Sequence, residues 1–494
     1  MTYFIYFLGV ALRLGMWLVP KSPWSDEWFS MALALRQFPE VFWGAIQDVH
    51  PPLYFLLLHV LASFFGDALW VFRLPSFLAS LSLLPALYLA AKETAGQKAA
   101  LTALYLAAIS PYWLQSANEI RSYSLLSFVT CLSAFFLVRS ASRPHESKWR
   151  WAYLGTAVLS VTLEHVAWFW LAAATAYLVN LFFKERRGSA AARFHRWALF
   201  LAAPSLALTA YQALYKESFF NFERIREYLP PLILLKKAAG IFWHFSCGYF
   251  YSMLTMDALA FHLETSPFFW LSAVTALSAL FFAVKGFRTL WKSRRPEAVL
   301  FAAVLVLPFA TLGIFYAIRL DARYLSFAAP FYFILLGAGA SAAGFRARAA
   351  FLALFTAVNL FGAFQAVASP ADAVHREDYK NMVAHVLDHA ATSDAVIGKR
   401  LAADYYQRTL GRRFAGVYFQ EPHDFFMKGR VDFERVWMMD SVNMHPEVTD
   451  RQFETTRLKM EALGYRLTGP PIVFGGTDAL TRLYIFERTK TSHE

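Results

Sequence analysis

Between residues 3 and 368 the apolar positions come in long blocks, not at the three-to-four spacing of a half-buried helix in water. Most blocks approach the length needed to cross about 30 Å of hydrocarbon. They predict membrane spans at about 3–20, 72–91, 98–116, 119–139, 150–164, 166–183, 196–215, 266–285, 297–318, 324–344 and 350–368, with an outer loop at about 216–265. Residues 51–66 are also apolar, but this run is only 16 residues long. It is short for a span. The preceding stretch 28–47 is amphipathic and rich in Trp and Phe, so 28–66 is expected to lie along the outer interface. From Ser369 onward the pattern changes. A helical period at 376–391, short alternating runs at Asp394–Gly398, Arg435–Met439 and Thr481–Phe486, and a second helical period at 450–463 predict a small α/β domain over residues 369–494.

Charge fixes the orientation. Basic clusters lie at Lys92 and Lys98, at Arg139 to Arg150, at Lys184 to Arg196, at Lys285 to Arg295, and at Arg346 and Arg348. Lys and Arg mark cytoplasmic loops. With all five clusters inside, the loops around Asp26, Glu119, His165, Phe222 and Arg323 face outward. A full crossing by residues 51–66 would break that parity, which is the second argument for an interfacial segment. Residues 150–183 must cross twice, turning near Glu164 and His165. The result is eleven spans, a cytoplasmic N-terminus, and a C-terminal domain outside the cell's plasma membrane.

Composition agrees. Of 494 residues, 57% are hydrophobic and 17% charged, against about a quarter charged in soluble domains. The net charge of +12 sits in short loops, with no basic groove interleaved with stacking aromatics, so nucleic acid is excluded as a partner and the bilayer is the expected surroundings. Two cysteines give no disulfide framework. No small-residue cleavage site follows Tyr3–Pro20, so that segment reads as a retained anchor. The Gly337-Ala-Gly-Ala-Ser run reads as close helix packing, not as a phosphate loop.

Ionisable residues gather at the outward mouths of the spans, where charge is costly unless paired, solvated or functional. Asp26 and Glu27 follow the first span between Trp24 and Trp28. A carboxylate beside apolar surface has its proton affinity raised, which suits a base accepting a hydroxyl proton. A solvated acidic pair is the bland alternative. Asp48-Val-His50-Pro-Pro holds His50 at a sharp entry to the next segment, because prolines fix the backbone and refuse helix continuation. His50 reads equally as a helix cap or as a ligand. At the start of the fourth span, Glu119 and Tyr123 are four apart and are expected to share a helix face, with Arg121 pointing elsewhere. A structural Glu–Arg staple and a second acidic group facing Asp26 are both open. Arg323 and Tyr324 stand at the mouth of the tenth span, and an Arg fork suits a phosphate as well as it suits snorkelling. His165 belongs to a polar pair with Glu164 at a tight turn. Asp26, His50 and Glu119 permit a divalent ion such as Mg or Mn without demanding one.

Ser25-Asp26-Glu27, Asp48-Val-His50-Pro-Pro-Leu-Tyr54, Arg73-Leu-Pro-Ser76, Ser110-Pro111, Asn118-Glu119-Ile-Arg121-Ser-Tyr123-Ser124 and Arg323-Tyr324-Leu325 together resemble the bacterial GT-C membrane glycosyltransferases related to protein O-mannosyltransferases and the lipid A aminoarabinose transferase. The match runs over roughly 10–140 and again at 319–336. Ser25 departs from the pattern, standing where an aromatic commonly precedes the acidic pair. The resemblance implies a GT-C-like catalytic domain over residues 1–368 and an outer-facing site that uses a polyprenyl-phosphate sugar donor. It implies Asp26 as the catalytic carboxylate with Glu119 as a second acidic group. It places His50, Glu119, Arg121 and Tyr123 along the same cavity and Arg323 on the lipid phosphate; Glu27, His165 and Tyr324, beside these motifs, are expected to bind substrate with them. The acceptor implied is a lipid, glycan or protein hydroxyl. A transporter or flippase of a lipid-linked molecule would instead want broken helices at the midplane, and a scaffold would not need these groups on one side.

Overall fold

A computed structural model describes residues 1–19, 21–185, 189–215, 231–248, 267–315, 322–368, 378–398, 400–419, 422–427, 433–441, 446–474 and 481–489. They fall into two compact units. One gathers Met1–Val19 with the described parts of Leu33–Thr255 and Phe261–Val367; the other gathers the described parts of Pro20–Ala32 and Ala368–Glu494.

The first unit is helical. Its elements are α1 (Thr2–Leu18), the end of α2 (Ser25–Ala34), α3 (Phe38–Gln47), α4 (Leu53–Phe65), α5 (Leu69–Ala95), α6 (Gln97–Ile109), α7 (Pro111–Ser116), α8 (Tyr123–Ser142) and α9 (Ser147–Leu163). A 3-10 turn at His165–Ala167 leads into α10 (Trp168–Glu185), followed by α11 (Ser189–Tyr215), α12 (Pro231–Cys247), α13 (Pro267–Ser293) and α14 (Arg295–Phe315). A second 3-10 turn at Ser326–Ala328 precedes α15 (Ala329–Ser341) and α16 (Phe345–Ala368). Among the described residues five helical segments, Leu69–Ala95, Tyr123–Ser142, His165–Phe183, Trp270–Ser293 and Phe345–Phe364, are long and apolar enough to cross a membrane. Along α13, Trp270, Val274, Leu277 and Phe281 stand exposed on one stripe, a face that lipid accepts and water penalises.

The 13 residues of α4 rise only about 20 Å, less than the hydrocarbon thickness, as the short apolar run implied. The hairpin 150–183 is present, turning at Glu164. One expectation changes. The fourth span begins at Tyr123, because residues 117–122 bend outside any helix, so Glu119 and Tyr123 do not share a helix face. Within 216–265, the expected outer connection between spans, lies α12. A proline opens that helix, Gly248 closes it at φ 72°, and Ile241 and Phe245 are buried. The rest of the stretch lies outside the described residues.

Backbone contact accounts for the glycine run. A Cβ at Gly337 would overlap the Ala99 carbonyl of α6, and one at Gly339 would overlap the Phe282 carbonyl of α13. Small residues there let α15 sit against both neighbours. Helix α6 stops at Ser110-Pro111, and a proline nitrogen cannot bond the carbonyl four residues back. Arg13, wholly buried in α1, supplies the donors instead. Its Nη1 reaches the carbonyl oxygens of Gly9 and Ala108, both at 3.1 Å, its Nη2 that of Ala107 at 3.2 Å, and its Nε donates to Ser80 Oγ at 2.8 Å.

The second unit carries the start of α2 and an α/β sheet. After α17 (Tyr379–His389) come β1 (Ala395–Ile397), α18 (Arg400–Thr409), β2 (Val417–Phe419), α19 (Pro422–Met427), β3 (Arg435–Ser441), α20 (Pro446–Ala462), β4 (Tyr465–Leu467), β5 (Ile472–Phe474) and β6 (Thr481–Arg488). The strand order is β2-β1-β3-β6-β4, with β5 also on β6. Strand β1 runs parallel to β2 and β3, whereas β6 is antiparallel to β3, β4 and β5. Ile397, Phe419, Val436, Met460 and Phe486 form its core.

Candidate active site

In the first unit the motif residues converge by backbone breaks. Helix α3 ends before Asp48, and Pro51-Pro52 postpone α4, leaving His50 on a short irregular segment. The bend at 117–122 delivers Arg121, whose carbonyl oxygen accepts a hydrogen bond from Ser76 of α5 at 2.9 Å. Helix α9 ends at Leu163, so Glu164 sits extended at the turn. Three otherwise distant side chains meet there. Arg121 Nη2 lies 2.9 Å from His50 Nε2, while Glu164 Oε2 lies 3.6 Å from His50 Nδ1. Asp48 Oδ2 is 3.9 Å from Nε2, and Ser122 Oγ donates to Glu164. A guanidinium and a carboxylate therefore flank one imidazole, and Arg121 itself is buried.

A second group adjoins Arg121. Its guanidinium lies 5.8 Å from the Tyr123 ring; the Tyr123 and Tyr324 rings meet edge-on at 6.1 Å, and the Arg323 guanidinium lies 5.1 Å from the Tyr324 ring. Hydrogen bonds sew these strands of chain together. Tyr112 Oη donates to the Ala322 carbonyl at 3.0 Å and Ser127 Oγ to that of Ser326 at 2.9 Å. Segments two hundred residues apart in sequence thus present Arg121, Tyr123, Arg323 and Tyr324 as one basic and aromatic surface. Such a surface can hold a phosphate through paired charge-assisted bonds.

Glu119 is buried within the bend that carries Arg121. His165 is engaged through both ring nitrogens, with Gln212 and Thr209. In the second unit Asp26 and Glu27 occupy the first turn of α2, where acidic groups suit the helix dipole. Glu27 Oε2 accepts from the Trp24 backbone N–H at 3.1 Å and is buried; Asp26 is half-buried, and its carbonyl oxygen accepts from Ser30 at 2.9 Å. The Trp28 ring packs edge-on against Tyr405 and Tyr406 of α18 at 5.6 and 5.7 Å, and Tyr406 Oη donates to Ser22 Oγ at 3.2 Å.

Two contributors escaped the sequence reading, Ser122 and Gln212. Gln212 left one signal, a buried amide inside the apolar run of α11. For a divalent ion the first unit's donors fit poorly. Asp48 and Glu164 address opposite nitrogens of His50, and Arg121 already places positive charge at Nε2. Among the described residues no three His, Cys, Asp or Glu groups gather as a metal site.

Residues 49–215 match the family described as dolichyl-phosphate-mannose-protein mannosyltransferase. That segment contains His50, Glu119, Arg121, Tyr123, Glu164 and Gln212. No curated protein matches the chain. The crystal structure of ArnT from Cupriavidus metallidurans in the apo state is similar over 97% of this chain and 97% of that one, with TM-score 0.54 and 14% identity. ArnT bound to undecaprenyl phosphate matches 98% of this chain and 97% of its own, with TM-score 0.54 and 14% identity. The oligosaccharyltransferase of Archaeoglobus fulgidus, tethered to an acceptor peptide, covers 95% of this chain and 73% of its own at TM-score 0.52 and 11% identity. At these identities the likeness is one of fold. The family model is thus matched across the segment that builds the His50 cluster, and the fold of ArnT is shared over nearly the whole length.

Proposed function

We propose that this chain moves a sugar from a polyprenyl-phosphate-linked donor to an acceptor hydroxyl at the outer face of the plasma membrane, with inversion at the anomeric carbon. The observation that carries the reading is the meeting of buried Arg121 with the partly buried His50 and Glu164 inside the matched family segment. The fold relatives add weight, since one binds undecaprenyl phosphate and another is tethered to an acceptor peptide. Eleven spans with a cytoplasmic N-terminus and an outer C-terminal domain accompany this proposal, resting on the charge pattern of the loops.

In the reaction, Asp26 takes the proton of the acceptor hydroxyl as that oxygen attacks the anomeric carbon. The bond from that carbon to the phosphate oxygen breaks on the opposite face, and its electron pair leaves with the polyprenyl phosphate. Arg323 and Arg121 stabilise the charge gathering on the leaving phosphate, an effect strongest where water is excluded. Tyr123 and Tyr324 support the sugar and phosphate between the two guanidinium groups. His50, between Arg121 and Glu164, fixes the fork of Arg121. The sugar is a hexose or pentose, and the acceptor a lipid, glycan or protein hydroxyl.

The test is incubation of purified protein with a panel of polyprenyl-phosphate sugars, scoring release of polyprenyl phosphate. Turnover with one donor, abolished by Asp26→Asn in a folded protein, is the expected result. Full activity of Asp26→Asn removes that carboxylate from the mechanism. Inertness toward every donor, together with lipid scrambling in vesicles, turns the protein into a transporter.

A further inference from the structure

The segment that carries His50 lacks its own means of satisfying its carbonyls. Helix α3 ends at Gln47, and its last carbonyls have no partner farther along the helix. Pro51 and Pro52 contribute no N–H. A side chain from α11 fills this gap. Gln212 is fully buried, and its Nε2 approaches the carbonyl oxygens of Asp48 at 3.0 Å, Ile46 at 3.1 Å and His50 at 3.5 Å. Three carbonyls around one atom require the amide nitrogen there, which orients Oε1 the other way. That oxygen accepts from His165 Nε2 at 2.5 Å, and His165 Nδ1 meets Thr209 Oγ1, one turn earlier on α11, at 2.6 Å.

The neighbour of His165 in the chain is Glu164, which faces the His50 ring. One dipeptide at the α9–α10 turn therefore grips His50 twice, by its ring through Glu164 and by its backbone through His165 and Gln212. We propose that Gln212 is the positioning residue for His50, and that His165 serves the reaction by holding Gln212 rather than by touching the substrate. The inference rests on the reading of His50 as part of the donor site. It gives the polar group in α11 a task that no helix-packing need explains, since an alkyl side chain would fill the same space.

Diethyl pyrocarbonate labelling of the full-length protein in detergent, read at each histidine by mass spectrometry, tests it without needing activity. His195 is the internal reference, because it is buried and bonded through both nitrogens to Tyr153 at 2.6 Å and Thr175 at 2.8 Å. Gln212→Ala should speed carbethoxylation of His50 about fivefold to tenfold, the scale of one lost buried hydrogen bond. Gln212→Glu keeps the volume but loses the donors, and should do the same. His165→Asn should match them, and the double variant His165→Asn with Gln212→Ala should add nothing further. Throughout, His195 stays at the wild-type rate. Unchanged labelling of His50 in both Gln212 variants overturns the proposal. So does parallel labelling of His195, which would make Gln212 a general support. With undecaprenyl-phosphate mannose as donor, the Gln212 variants should lower kcat and leave KM within about twofold. A wild-type protein inert toward all donors would sink the functional reading, while the labelling still decides the relay.

Discussion

Replacing Arg13 by Met keeps the length and apolar stem of the side chain while deleting its donors. Four hydrogen bonds disappear, to Ser80 and to the carbonyls of Gly9, Ala107 and Ala108. At the average of about 0.6 kcal/mol for a hydrogen bond in a membrane protein, the sum is about 2.4 kcal/mol. The Ala107 carbonyl cannot recover a helical partner, because the residue four ahead is Pro111, and the chain turns away at Ser110 before Tyr112 can bond Ala108. Two orphaned acceptors at about 1–3 kcal/mol each give about 2–6 kcal/mol. Removing a buried guanidinium relieves some desolvation, which places the expected loss at about 2–4 kcal/mol. Scaling the usual dependence of Tm on size, this lowers the unfolding temperature by about 3–6 °C. Survival of the monodisperse peak in size-exclusion chromatography after stepwise heating measures it. Arg13→Lys, whose three donors radiate from one atom, should fall between wild type and Met. An Arg13→Met protein within about 1 °C of wild type would refute the capping argument.

Further expectations concern the site and the second unit. Glu164→Gln keeps shape but removes the charge facing His50, and charge-assisted bonds of about 1.5–3 kcal/mol imply a loss of about ten- to a hundredfold in kcat/KM, checked by polyprenyl phosphate release. Gly339→Leu should prevent α15 from seating on α13, seen as loss of the folded peak in detergent, whereas Gly344→Leu, with open space around it, should be silent. His385 stacks on His389 at 4.1 Å, and burial, with the charge of His389, holds its pKa below the ordinary range despite the opposing pull of Asp388. A depressed histidine contributes stability that is present above about pH 6.5 and is lost as pH falls through its folded value, so His385→Phe should flatten the acid side of the stability profile below about pH 6.5.

Much of this was legible in the chain because lipid imposes simple demands. A membrane helix must be long and apolar, so α5, α8, α10, α13 and α16 announce themselves. Charges at span mouths are conspicuous for the same reason, which is how His50, Arg121, Tyr123, Arg323 and Tyr324 came to notice. What stayed hidden depends on where helices break. The bend at 117–122 turns Arg121 toward His50, yet helical spacing had paired Glu119 with Tyr123. Helix α12 mixes lysines with apolar residues, so no long apolar block marks it. Gln212 is one amide in an apolar run, and its worth comes from carbonyls more than 160 positions away. The grouping of residues 20–32 with the C-terminal unit arises from Trp28, Ser22 and Tyr406, and no local pattern could signal it.

That last pairing sets an order on biosynthesis. Ser22 and Tyr406 are 384 positions apart, so at about 5–20 residues per second the ribosome needs roughly 20–80 s to produce the second partner after the first. Through that interval the stretch bearing Asp26 waits without its aromatic clasp, and it settles only when α18 has been made and delivered. A nascent chain halted before position 400 would leave Trp28 without either tyrosine, a built-in delay between insertion of the first helix and maturation of the acidic helix start behind it.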